Sequence, residues 1–175
     1  MFGYNMYDSN ETDEADLDRT IAVLPFDDMS PNKDKGYFSD GMMEEILNHL
    51  HKIGDLKVCS KTSSMKYKND QSKTIKEIAE ELGVAHVLEG SVKIHNDQVR
   101  ITVQLIKADS DEHLFAQNYD RQFDDIFAIQ TEVAQKVASS LKARITNEEE
   151  KIISSKPTDN LDAYMLVLKS NRLSR

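Results

Sequence analysis

Five histidines, one cysteine and scattered hydroxyls and carboxylates are the groups in this chain able to bind a metal, attack a carbonyl or move a proton. His49 and His51 stand two residues apart in a segment of helical periodicity, and positions i and i+2 point to different sides of a helix, so a shared metal is not expected. His86, His95 and His113 fall near strand ends or turns, with no adjacent base and orienting partner. Asp109, Asp111 and Glu112 offer oxygen ligands for a hard cation, yet the twelve-residue calcium-loop pattern is missing and a charged hairpin tip is the simpler reading. GxxxxGKS/T, HExxH, CxxC and GxSxG are all absent from the sequence. No catalytic residue, metal ligand or cofactor contact is therefore assigned.

What remains is binding chemistry. Ser60, Thr62, Ser63 and Ser64 place hydroxyls and backbone N–H groups beside Lys61 and Lys66, a composition suited to holding an anion where a strand ends. The alternative is that these hydroxyls close a turn and cap loop backbone. Asp27 and Asp28 open a polar loop, Asp27 to Tyr37, that belongs to the same candidate region. Glu89 and Ser91 flank Gly90 inside a strand-like segment, where a glycine marks a bulge or a close backbone approach. Cys59, the only cysteine, excludes an internal disulfide and a cysteine-rich zinc site, and its neighbour Val58 suggests a buried structural thiol.

The elements that position these groups are readable from periodicity. Ile21 to Leu24 is an uninterrupted apolar run suited to a strand buried on both faces, and Pro25 ends its ladder because it has no N–H to donate. A helix is expected to begin near Phe38 to Asp40, capped by Ser39 or Asp40, with Met43, Ile46, Leu47 and Leu50 inward. A short strand over Leu56 to Ser60 and an amphipathic helix over Thr74 to Gly83 complete two β-α-β steps with right-handed crossovers. His86 to Ile94 and Gln98 to Ala108 read as a hairpin, and His113 to Gln122 as a further strand.

Alternation along these strands is strict. Val99, Ile101, Val103 and Leu105 share one face with Leu88, Val92 and Ile94, whereas Arg100, Thr102 and Gln104 share the other with Glu89, Ser91 and Lys93. One face is expected under helices and the other in water or against a partner. The cover is a helix over Asp124 to Arg144, capped by Asp124 or Asp125, carrying Ile126, Ile129, Val133, Val137 and Leu141, with Lys142 and Arg144 complementing its last turn. The fold class is thus α/β (α+β): a mixed β-sheet of about five strands with helices mainly on one face, in β-α-β-α-β-β-β-α order, followed by a carboxy-terminal repeat-like helix.

Composition bounds the rest. A chain of 175 residues, 39% hydrophobic and 30% charged, supports one domain with a sizeable core. Its net charge of −9 argues against nucleic-acid binding by this segment. Lys57, Lys61, Lys66 and Lys68 form a local basic exception. Residues 1–19 read as a flexible acidic leader or linker, 20–145 as the domain, 146–156 as a linker and 157–175 as the start of a helical region, in which Leu161, Tyr164 and Leu168 form an apolar stripe. No run approaches the roughly 20 apolar residues of a membrane helix, and the start lacks the pattern of a signal peptide.

The blocks AVLPF…YFSDGMMEEIL, CSKTSSMKYK, IAEELGVAHVLEGSVK, VRITVQLI and EHLFAQNYDR…DIFAIQTEVA occur in this order between Thr20 and Ile145. In this they resemble the TolB-amino-terminal-like domain of bacterial membrane-associated signalling proteins. The resemblance implies a module between an upstream output part, such as a class III nucleotide cyclase or DNA-binding domain, and downstream tetratricopeptide repeats, with the 157–175 helix opening the first repeat. It implies partners within the same protein, a membrane link through an upstream anchor and a periplasmic or cytoplasmic position, the periplasm preferred. Self-association is open. Two functions stand: a non-catalytic sensory or interaction module, and a small-molecule or nucleotide-binding regulatory domain. The polar sheet face and the terminal stripe are the two candidate partner surfaces, the stripe preferred for its aromatic and aliphatic side chains.

Overall fold

Pro25 decides how the first strand pairs. In the computed structural model, which describes residues 16–156 and 160–173, β1 (Thr20–Val23) lies between β3 (Lys57–Val58) and β4 (His86–His95), parallel to both. Leu24 still donates to Leu88 O at 2.9 Å, but after Pro25 the chain resumes as β2 (Asp27–Asp28), parallel to β4 at Ser91 and Val92. β5 (Gln98–Lys107) and β6 (Glu112–Gln122) follow antiparallel, giving a six-stranded mixed sheet of order β3-β1-β4-β5-β6 with β2 also on β4. This is the expected class, with one more strand.

Helices α1 (Gly36–His51) and α3 (Ile75–Leu82) carry the chain in opposite directions, from β1 out to β3 and back across β1 to β4. Right-handed crossovers running in opposite directions place their helices on opposite faces of the sheet. The packing agrees. Phe38, Met43, Ile46 and Leu50 of α1 join Ile21, Val23, Leu88 and Ile101 in the main core, while Ile78 and Ala79 of α3 pack with Leu24 and Val87 on the other side. The main core is completed by Ile126, Ile129, Val133 and Val137 of α4 (Ile126–Ser140). Val99, Ile101, Val103 and Leu105 are buried and Arg100 is exposed, so the alternation holds.

Local chemistry explains most boundaries. The Thr74 hydroxyl accepts from Glu77 N at 3.2 Å and Glu77 accepts from Thr74 N at 2.7 Å, a reciprocal cap that starts α3, and Gly83 ends it at φ 67°. Four expectations shift. α1 begins at Gly36, because residues 35–39 already make helical turns, with Phe38 N and Ser39 N donating to Lys35 O, and Ser39 lies buried inside the helix instead of capping it. α4 is shorter than expected: a 3₁₀ turn over Phe123–Asp125 precedes it, the Asp125 side chain makes no capping bond, and Lys142 lies beyond its end at φ 53°. The short strand stops at Val58 and is followed by α2 (Lys61–Ser64) and a 3₁₀ turn at Met65–Tyr67.

The fourth concerns 146–156. This charged segment, read as a linker, contains α5 (Asn147–Ile153), capped reciprocally by Thr146 and Glu149. Glu149 also accepts from Gly54 N at 2.9 Å, Thr131 donates to Ile153 O at 2.6 Å and Ile153 is fully buried. Its charges are solvated on one side while one isoleucine anchors the other. The expected leader lies outside the described residues up to 15.

Candidate functional site

The first loop is held by its own aspartate. Asp28 accepts from Ser30 N at 2.9 Å and Lys35 N at 2.7 Å, Met29 N reaches Val92 O at 2.7 Å, and buried Ser30 accepts from Ile94 N at 3.0 Å. Burial alone would raise the Asp28 carboxyl, but the bonds from Ser30 and Lys35 outweigh it and hold it below the ordinary carboxylate range. Asp27, one residue earlier, lies opposite Ser91 on the outer face of the sheet. The loop is thus tied to β4 and to the start of α1.

Within the serine cluster Ser60 caps a short helix. Ser60 Oγ accepts from Ser63 N at 3.3 Å and lies 3.0 Å from Ser63 Oγ, opening α2. Lys61 pairs with Glu44 of α1, and Lys68 with Asp40 one turn earlier on that helix. Ser64 is fully buried with no bond to its hydroxyl. Cys59 is partly buried as a free thiol.

Behind this turn lies an open cleft of about 300 Å³, lined by Cys59, Ser63, Lys66, Tyr67, Asp70, Lys73, Glu81 and Leu82. Lys73 bonds both Glu81 oxygens at 2.6 and 2.8 Å and stands 5.6 Å over the Tyr67 ring, whose hydroxyl donates to Glu81 at 2.7 Å. The bond from Lys73, then that from Tyr67, keeps the Glu81 carboxyl low, and the same bond pushes the Tyr67 phenol up. Tyr67, Lys73 and Glu81 escape sequence reasoning because they come together only through the short α2 turn, which no periodicity announces.

The outer face of β4, β5 and β6 is a ladder of polar rows. Glu89 pairs with Gln104 and Ala116, Ser91 with Thr102 and Asn118, and Lys93 with Arg100 and Asp120. Thr102 donates to Asn118 at 2.8 Å, and Arg100 grips Asp120 through Nε at 2.6 Å and Nη2 at 3.1 Å. Burial, with Asp27 and Asp111 nearby, raises the Glu89 carboxyl, and only His113 opposes it. Gly90 allows a close approach on the inner face, where an added Cβ would stand 2.6 Å from Thr102 O and 2.9 Å from the Phe26 ring.

Tyr164 and its stripe correct an expectation. Leu161, Tyr164 and Leu168 of α6 (Leu161–Leu173) pack on the main core of the same chain, with Tyr164 edge-on to Phe127 at 5.0 Å and Leu168 over Gly41. The glycine removes the side chain that would otherwise hold this helix off α1. Burial, with Glu45 close by, pushes the Tyr164 phenol upward. Leu166 and Val167 point to solvent instead.

Several ionisable groups among the described residues therefore pair with one another, and those that meet at the cleft do so as the Lys73, Glu81 and Tyr67 cluster. Among the described residues, no group of three or more histidine, cysteine or carboxylate side chains is placed to hold a metal, and no helix is long and apolar enough to cross a membrane.

This mixed-sheet fold is shared with known structures. TolB from Acinetobacter baumannii superposes over 70% of this chain and 28% of its own at TM-score 0.52 and 16% identity, and lipoprotein GNA1162 from Neisseria meningitidis over 70% and 99% at 0.51 and 16%. Residues 17–139 match the HilA/YgeH-like transcriptional regulator second domain, and the chain belongs to that family. A relative in Rhizobium meliloti (strain 1021), named "Putative adenylate cyclase 3", is 40% identical over 153 residues, 87% of this chain. That match spans only 26% of the relative's length.

Proposed function

We propose that this chain is a non-catalytic sensory or protein-interaction module of a bacterial signal-transduction protein, of the TolB-amino-terminal-like kind. One observation carries the reading: Asp28 is spent on backbone N–H groups and Lys61–Glu44 and Lys73–Glu81 on each other, while the outer face of β4, β5 and β6 stays broad and polar beyond the α3 contact at Val87. Membership in a regulator family and the identity to a cyclase-named relative support a setting in which a separate output part performs the chemistry. In this reading the module contacts an upstream output domain and downstream helical repeats, and a membrane anchor lies upstream, with the periplasmic side preferred. The exposed Leu166 and Val167 support a neighbour beyond α6.

The test is turnover. Purified chain incubated with ATP or GTP and magnesium yields no cyclic product above an enzyme-free blank. Product formation that follows the chain through a second purification overturns the reading.

The cleft favours a second reading, a small-molecule or nucleotide-binding regulatory domain. It lies just beyond the carboxyl end of parallel strand β3, the position at which open α/β sheets take ligands, and offers Lys66, Lys73 and Ser63 to an anionic group. Titration calorimetry with ATP separates the two: saturable heat that Lys66→Ala and Lys73→Ala abolish, without turnover, selects the second.

A further inference from the structure

The sheet ends differently on its two sides. β3 offers two residues of edge, whereas β6 offers eleven. Phe123 donates its N–H to Asp97 O at 3.0 Å, which fixes the phase of the ladder: Gln117, Tyr119 and Arg121 bond to β5, and Ala116, Asn118, Asp120 and Gln122 turn their N–H and C=O groups outward. Proline and lysine, the usual guards of an edge, do not occur in β6, and Phe115 to Tyr119 carries no charge. The sheet's bulge lies at Leu105/Ile106, which leaves the register from Phe115 to Gln122 regular. Beside this edge, on the helical face, runs an open groove of about 340 Å³ between Gln117 and Tyr119 of β6 and Glu132, Gln135, Lys136 and Ser139 of α4.

We propose that β6 pairs antiparallel with β6 of a second copy of this chain, about a twofold axis at Asn118. A strand meeting its own copy antiparallel always presents matching donors and acceptors, and at this register the side chains match as well. Asp120 falls opposite the partner's Ala116, and Gln117 opposite the partner's Tyr119. Arg121 falls opposite the partner's Phe115 and keeps its own pair with Glu132, so no like charges meet there. Moving the axis to Asp120 would set two aspartates face to face, and moving it to Ala116 would set Glu112 against the partner's Asp120, both unfavourable for directly opposed residues. Charge therefore excludes both ends and leaves axes from Gln117 to Tyr119, of which the one at Asn118 sets Asp120 opposite a small residue, the partner's Ala116. The two grooves join across the axis, and the sheet becomes continuous through both copies. Assembly at β6 is independent of the regulatory reading above.

Sedimentation velocity of the full chain over a dilution series tests this. The wild type is expected as a dimer that dissociates on dilution. Ala116→Lys sets two lysines opposite Asp120 across the axis and tightens the dimer about tenfold, while Ala116→Asp sets two like charges there and loosens it about tenfold. Asn118→Pro removes an outward N–H and the side-chain bond from Thr102 but no backbone bond to β5, and gives a monomer with an unchanged far-ultraviolet spectrum. A wild type that stays monomeric overturns the proposal. So does a dimer whose dissociation constant ignores both Ala116 substitutions or moves the same way with each, since residue 116 is exposed and either side chain leaves the fold intact.

Discussion

Whether α6 belongs to this domain is decided at Gly41. In an isolated helix Gly41→Ala would gain about 1 kcal/mol of helix propensity. In the folded chain the added methyl stands 2.6 and 2.7 Å from the two Leu168 methyl carbons, where carbon contacts normally lie at roughly 3.5–4.0 Å. Relieving that overlap costs about 1–3 kcal/mol, so the single substitution is expected to fall between neutral and about 2 kcal/mol destabilising. Leu168→Ala, at a partly buried site, costs about 1–2 kcal/mol, less than full burial would. In the double variant the space is free and Gly41→Ala recovers its gain. Urea unfolding followed by circular dichroism therefore gives a coupling of about 1–3 kcal/mol between the two positions. If Gly41→Ala stabilises by the same amount in both backgrounds, α6 does not lie on α1 and the reasoning fails.

Ile101→Asp sends a carboxylate into the fully buried inner face and is expected to cost more than about 4 kcal/mol, enough to unfold the chain, whereas Thr102→Ala, next to it on the outer face, costs about 0.5–1 kcal/mol for its bond to Asn118; unfolding curves of both check the facing. Glu89 has its carboxyl raised by burial, so its charged form opposes folding, and stability contributed here falls as pH rises from the ordinary carboxylate value through the raised one. Glu89→Gln is then expected to stabilise at neutral pH by about 0.5 kcal/mol or less after solvent screening, and to flatten that limb of the pH profile. His86 has the opposite sign: burial, against a bond to Thr20 O, holds its imidazole below the ordinary 6.5. Stability falls as pH drops from that value through the lowered one, and His86→Gln removes this part of the acid limb in a pH series of thermal midpoints.

The sheet and its facing are legible in the sequence because period-two alternation in β5 and a proline stop in β1 are local signals with one structural meaning. Ends of elements are less so. Asp28 acts on Lys35 N from seven residues away, and α5 is anchored by Ile153 and Glu149 through contacts with Thr131 and Gly54; such partners are set by the fold and leave no periodic trace. The hydroxyls at Ser60 to Ser64 carry the same composition whether they hold an anion or cap a helix, and the cap at Ser60 becomes visible only with the short α2 turn. The terminal stripe misleads for a similar reason, since an apolar face states that it is covered and not by what.

That the side chains of the first loop hold the fold and not a ligand is tested most directly at Asp28. Asp28→Ala removes the acceptor of two backbone N–H groups, and a urea unfolding curve at neutral pH is expected to show a loss of about 1–3 kcal/mol. Because the Asp28 carboxyl is depressed in the folded chain, its contribution is complete above the ordinary carboxylate value and disappears as pH falls through the lowered one, so the deficit shrinks in acid. A variant as stable as the wild type, or more stable, would contradict this and mark Asp28 as a residue kept for binding at a cost to the fold.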